Sequence, residues 1–208
     1  MTSTADAECH LDDGGDSDLT ARAVAAVRRT AVALIGADPG TDLSEVAQRI
    51  HALADDLETR VPSARDRIES MDREGRGSRY SPVVGAHNAV APRVDLGVTA
   101  DGAEGTVSFS TAYERAPGVV HEGAVALVLD VALANANALA GVAGMTAQLN
   151  IRFHHPVPPD RELTIRSRHE RVDGRKAYSS AEVWLGDKLC VSADGLFIAS
   201  RKRVPHAG

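Results

Sequence analysis

PGVVHEGAVALVLD occupies residues 117–130, and the run of small and apolar residues that it opens continues to Val142. Pro117 and Gly118 mark a turn, and His121, Glu122 and Gly123 give the run a short polar start. A helix drawn over 123–140 is apolar on nearly every side, and such a helix belongs inside something. A bilayer is one such place. The run from Ala124 to Val142, however, holds Asp130 near its middle, with Asn135 and Asn137 beyond. A carboxylate at the centre of a membrane costs about 3 kcal/mol on insertion scales. The expectation is no membrane span, and a helix enclosed by sheet.

The residues behind the helix supply that sheet. Four strand-like runs cover 145–155, 161–172, 176–186 and 189–199. From Met145 to Phe153, Ala147, Leu149, Ile151 and Phe153 share one face, and Thr146, Gln148, Asn150 and Arg152 share the other. In the third run Ala177, Ser179, Ala181, Val183 and Leu185 alternate with Tyr178, Ser180, Glu182 and Trp184. Ahead of the helix, 104–112 alternates well enough for another strand, and ERAPG at 114–118 makes a turn. A strand, a long helix and then consecutive antiparallel strands give an α+β plan, a curved antiparallel sheet wrapped around one central helix.

Upstream the period is helical. Residues 20–36 place Val24, Val27, Ala31 and Leu34 on one stripe with Gly36 as a stop. Asp42 to Leu57 carries a second stripe of Leu43, Val46, Ile50, Leu53 and Leu57, and Pro62 ends that region. A third, charged helix is expected over 63–72, and an irregular, Gly- and Pro-rich crossing over 75–95. The organisation expected is an acidic disordered tail at 1–19, a helical extension at 20–75, the sheet-and-helix domain at 76–200 and a flexible tail at 201–208.

Composition narrows the function. A chain of 208 residues can bury one sizeable core with an appended helical segment. Its formal net charge of -6 argues against a general nucleic-acid binder, which needs a basic surface. Only Cys9 and Cys190 are present, which excludes a disulfide framework or a cysteine-rich zinc site and suits a reducing cytoplasm. The first residues carry neither a basic leader nor an apolar run, so no secretory signal is expected there.

The chemistry concentrates around the central helix. Its start offers unpaired amides with a partial positive charge, suited to a developing oxyanion. Gly123, Asp130 and Asn137 are spaced by seven and project to roughly one side. Asp130 on an apolar helix reads either as a base or nucleophile, or as a carboxylate paired with a cation or capping a loop. His121 reads equally as a cap. His154 and His155 point to opposite faces of a strand and cannot chelate one ion, so no metal site is expected. DGRK at 173–176 presents Arg175 and Lys176 on a tight turn, as a polar hairpin tip or as a phosphate clamp.

In order and spacing these pieces resemble the hotdog thioesterase superfamily, in particular its phenylacetate-pathway-like and mammalian branches. The motifs are PGVVHEGAVALVLD, GMTAQLNIRFHHPVP at 144–158, VDGRKAYSSAEVW at 172–184 and ADGLFIAS at 193–200. The likeness covers about residues 80–200. It implies a hotdog fold, acyl-CoA as substrate, no cofactor, and a homodimer or dimer of dimers with active sites at the subunit interface. Asp130 matches the general base or nucleophile, and Thr146 matches a hydroxyl residue contributed by the partner subunit to hold the attacking water. His121 and the amides of Glu122 and Gly123 match the turn that polarises the thioester carbonyl. Arg175 and Lys176 fall where CoA phosphates are contacted.

One departure is central: where such proteins read H-G-G, this chain reads His121-Glu122-Gly123. The Glu122 side chain turns away or is protonated, opposes an oxyanion by its charge, or serves as a second carboxylate to activate water. Two functions therefore stand side by side: acyl-CoA hydrolysis, or acyl-CoA binding with weak or no hydrolysis. A hotdog dehydratase fits the H-x-G…D spacing less well.

Overall fold

The computed structural model describes residues 18–66, 69 and 79–199. Most of the expected acidic tail, most of the third helix and the tail at 201–208 lie outside the described residues. In chain order the elements are α1 (Leu19–Ile35), α2 (Ser44–Glu58), β1 (Arg93–Val98), β2 (Gly102–Ser108), β3 (Glu114–Ala116) and β4 (Val119–Val120). There follow α3 (Glu122–Leu139), β5 (Gly144–Phe153), β6 (Leu163–Asp173), β7 (Lys176–Leu185) and β8 (Lys188–Ala199).

Six strands form one sheet in the order β1-β2-β6-β7-β8-β5, every neighbour antiparallel. Two hairpins build its centre. Gly174 and Gly186 take the first turn positions with φ of 58° and 61°, a left-handed conformation that glycine adopts without strain. The sheet curls over α3, which packs on β2, β5, β6, β7 and β8. Val125, Val128, Leu129, Ala132, Leu133 and Ala136 are buried there against Leu163, Ile165, Val183, Val191 and Phe197. The one buried polar side chain of α3, Asn137, is satisfied by Ser179 and His169, as burial of an amide requires.

The enclosure is one-sided. Leu127 and Leu139 on the opposite side of α3 are exposed. So is most of β5, a ten-residue edge strand whose Met145 is 79% exposed.

Three local departures from the sequence reading have physical reasons. β1 forms within the crossing expected to be irregular, because Val94 and Leu96 alternate and pair as an edge strand on β2. β2 stops at Ser108, after which Phe109 turns into the core and Thr111–Tyr113 make a single 3-10 turn. The ERAPG turn is the tip of a two-stranded ribbon, β3 with β4, folded around Gly118 at φ 77°.

α1 and α2 bury no residue completely. α1 is tied to the rest of the chain by polar contacts. His87 Nε2 and Asp18 Oδ2 stand 2.7 Å apart, and Arg28 Nη2 donates to the carbonyls of Asn88 at 2.6 Å and Gly85 at 3.3 Å.

Candidate functional site

The β3–β4 ribbon delivers the chain into α3. His121 N–H donates to the Tyr113 carbonyl at 2.8 Å, and Val120 N–H to that of Val157 at 2.9 Å. His121 is the N-cap: its Nδ1 accepts the Gly123 N–H at 2.9 Å and its carbonyl accepts that of Ala124 at 3.0 Å. An accepting Nδ1 is unprotonated, so the neutral ring carries its proton on Nε2. The ring sits close on Gly123, where a β-carbon would stand 3.1 Å from Nδ1. A larger residue at 123 asks the ring to give by a few tenths of an ångström.

Asp130 lies two turns further on, half-buried. Its Oδ1 accepts the Thr146 hydroxyl at 2.8 Å. A regular β5 puts Thr146 on the face of Gln148 and Asn150, away from the helix. A bulge between Thr146 and Gln148 breaks that alternation. Ala147 becomes the extra residue, Thr146 pairs with the buried Phe197, and Leu149 and Ile151 also face the core. This corrects the expectation that Thr146 reaches Asp130 from a partner subunit: the two residues meet within one chain. Among the described residues no cation pairs with Asp130.

Other expected members are placed apart. Seven residues of helix separate Gly123 from Asp130, a rise of about 10 Å. One chain therefore does not bring the helix-start amides and its own Asp130 onto a single thioester carbon. Arg175 and Lys176 lie at the same end of the sheet as Thr146, because Thr146 and Ala177 both pair with Phe197. Two strand spacings, about 10 Å, separate them. Arg175 spends Nε and Nη2 on the Ala199 carbonyl, at 3.1 and 2.9 Å. His154 pairs with Ser192 and His155 with the Leu189 carbonyl, on separate partners.

Residues 117–192 match the family model of the thioesterase superfamily. The crystal structure of protein RHA08564, a thioesterase superfamily protein, is similar at a TM-score of 0.77 and 38% identity, over 88% of this chain and 92% of that one. The chain belongs to the thioesterase superfamily. Residues 117–208 are under half of the sequence, so a match of that extent includes upstream residues. Acyl-coenzyme A thioesterase THEM4 of Bos taurus is 42% identical over 84 residues, 39% of this chain and 34% of the relative. The Mus musculus protein of the same name is 37% identical over 84 residues, 39% of this chain and 36% of the relative. The chain thus matches about a third of the length of these curated relatives.

Glu122, which stands in this superfamily member where similar proteins carry the first glycine of H-G-G, has a defined position. Its carboxylate is held below the ordinary range, first by its own backbone N–H and further by the Arg115 guanidinium, while partial desolvation works the other way. Arg115 Nε stands 3.0 Å from Glu122 Oε1. The carboxylate is therefore ionised at neutral pH, which removes the protonated alternative. Arg115 was missed from the sequence. Its only signal is an opposite charge seven residues earlier, and that becomes a contact only because the ribbon folds back.

Proposed function

We propose that the protein hydrolyses acyl-CoA thioesters to a free carboxylate and CoA, in paired chains. The observation that carries this reading is the Asp130–Thr146 hydrogen bond on the α3–β5 side of the molecule. Thr146 holds Oδ1, which leaves Oδ2 to take a proton from water as that water attacks the thioester carbon. The carbonyl oxygen gains charge, and amides at a helix start stabilise it. The tetrahedral intermediate then expels the CoA sulfur, which leaves as thiol after protonation. These steps need only water and groups of the two paired chains.

Pairing follows from distance. The helix start and Asp130 lie about 10 Å apart along α3, so a second chain's helix start has to supply the oxyanion donors. The open side of α3 and the unpaired outer edge of β5 support that arrangement, since a long exposed edge strand invites pairing. In this reading Arg175 and Lys176, at the Thr146 end of the sheet, are the residues that meet the CoA phosphates.

A second reading, binding with weak or no turnover, is favoured by the ionised Glu122 carboxylate at the helix start, whose charge opposes an oxyanion. Thiol release from short, long and aromatic acyl-CoA esters separates the two. Hydrolysis by the wild type, lost in Asp130→Asn with the oligomer intact, is the expected result; unchanged turnover in that variant sinks the assignment. Binding without turnover, with activity appearing in Glu122→Gly, selects the second reading.

A further inference from the structure

α2 is a helix without cover from its own chain. None of its residues is buried, and it makes no extended contact with any other described element. Yet Val46, Ile50, Leu53 and Leu57 stand on one side of it, the last two 55% and 52% exposed. With half-buried Leu43 just ahead, these apolar residues follow one another at intervals of three, four, three and four. That spacing is the narrow seam of two helices packed together, not the broad stripe of a helix lying on a sheet. An isolated helix of this length is marginal in water, so the seam calls for a partner.

The residues beside the seam say which partner. Arg49 precedes Ile50 and Asp56 precedes Leu57, which puts both on one flank, while Ala47 and Ala54 stand on the other. Laying a second copy of the helix antiparallel brings each flank against itself. Ile50 of one copy then packs on Leu53 of the other, and Val46 on Leu57. Arg49 of each copy faces Asp56 of the other, and such flanking charges set partner and orientation. The alanines meet on the far flank, where small side chains let the backbones come close. A parallel pair instead sets Arg49 against Ala54 and leaves both charges unmet. Among the described residues Arg49 has no ion-pair partner. Asp56 accepts from Arg60 of its own helix at 2.8 Å, and a carboxylate has lone pairs left for a second guanidinium.

We propose that α2 is a self-association surface, and that its partner is α2 of a second copy lying antiparallel to it. The helix is about 22 Å long, so one such pair covers less than the about 800 Å² per chain of a standard interface. The contact therefore works beside the pairing through α3 and β5 proposed above. Two chains paired there carry two α2 helices. When two such dimers meet, the second α2 contact forms within an assembly already joined by the first. Four chains closed by two kinds of two-fold contact result. That size rests on the α3–β5 pairing; the α2 contact itself does not, and neither depends on hydrolysis.

Sedimentation equilibrium of the full chain tests this. Leu53→Glu puts a charge into the seam at a position exposed in the single chain, so the fold is expected to be kept and the mass of the assembly to halve. Arg49→Asp and Asp56→Arg set like charges opposite each other, and each is expected to weaken association by about tenfold. The two together are expected to restore it to within about threefold. A four-chain wild type that falls to two supports both contacts. A two-chain wild type that falls to one supports the α2 contact and removes the α3–β5 pairing, which keeps the two failures distinct. A mass unchanged by Leu53→Glu overturns the proposal, since α2 is then covered by its own chain. So does a mass halved by Leu53→Glu but untouched by either charge reversal, or not restored by the two together, since α2 then docks on another surface.

Discussion

The start of α3 and its middle are built on opposite plans. At the start two polar groups are satisfied within the chain: Gly123 N–H by His121, and the Glu122 carboxylate by Arg115. Two turns on, Asp130 has one oxygen held by Thr146 and no cation beside it among the described residues. A region complete in itself resists change, whereas a half-satisfied one is ready for a further partner. On the proposed function, the contrast puts the reacting carboxylate in the middle of the helix and the control on it at the start.

The contrast can be broken most severely at Asp130. Asp130→Asn is expected to lower kcat by about 10²–10⁴-fold, the usual contribution of a positioned base, with sedimentation of the oligomer unchanged. At the other end, Glu122→Gly removes a negative charge from the helix start and is expected to raise kcat by about tenfold, less than the roughly 10²–10³-fold of a full oxyanion donor. A fall in kcat there instead assigns Glu122 to water activation. Thr146→Val is expected to cost a few-fold in kcat with KM little changed, and Thr146→Ser to recover most of it, since only the hydroxyl donor is needed.

The pH dependence sharpens the same comparison. A depressed carboxylate stays ionised above its folded value and loses its charge only as pH falls through that value. The difference in rate between wild type and Glu122→Gln is therefore expected to stay level from neutrality down to the ordinary carboxylate value of 4.5, and to close only below it. The smallest effect is expected far from the site. Asp18 is held below its ordinary 3.8, first by the Ala21 amide and then by His87. Its contribution to α1 docking is present at neutral pH and is lost as pH falls below that ordinary value. Asp18→Asn is accordingly expected to lower the melting temperature slightly at pH 7, and the difference is expected to shrink as pH falls below 3.8.

Periodicity carried much of this into view. The apolar helix behind His121 and the alternation along β7 are strong local signals, and α3 with its antiparallel sheet follows from them. β1 was hidden because Pro92 and Gly97 interrupt a short run whose pairing with β2 is a tertiary event. Asp130 was legible as a charge out of place. The Glu122–Arg115 contact was not, since it depends on how the β3–β4 ribbon closes. The bulge was hidden for another reason: a two-residue period says nothing of where one residue drops out of the count.

That dropped residue has a consequence for how the position of Thr146 is encoded. Because Ala147 stands outside the pairing, the strand could lose it and still keep Thr146 opposite Phe197. If Ala147 were used as an ordinary strand residue, the hydroxyl would turn to the outer face. Pairing register, rather than the number of residues in the strand, sets the hydroxyl's address.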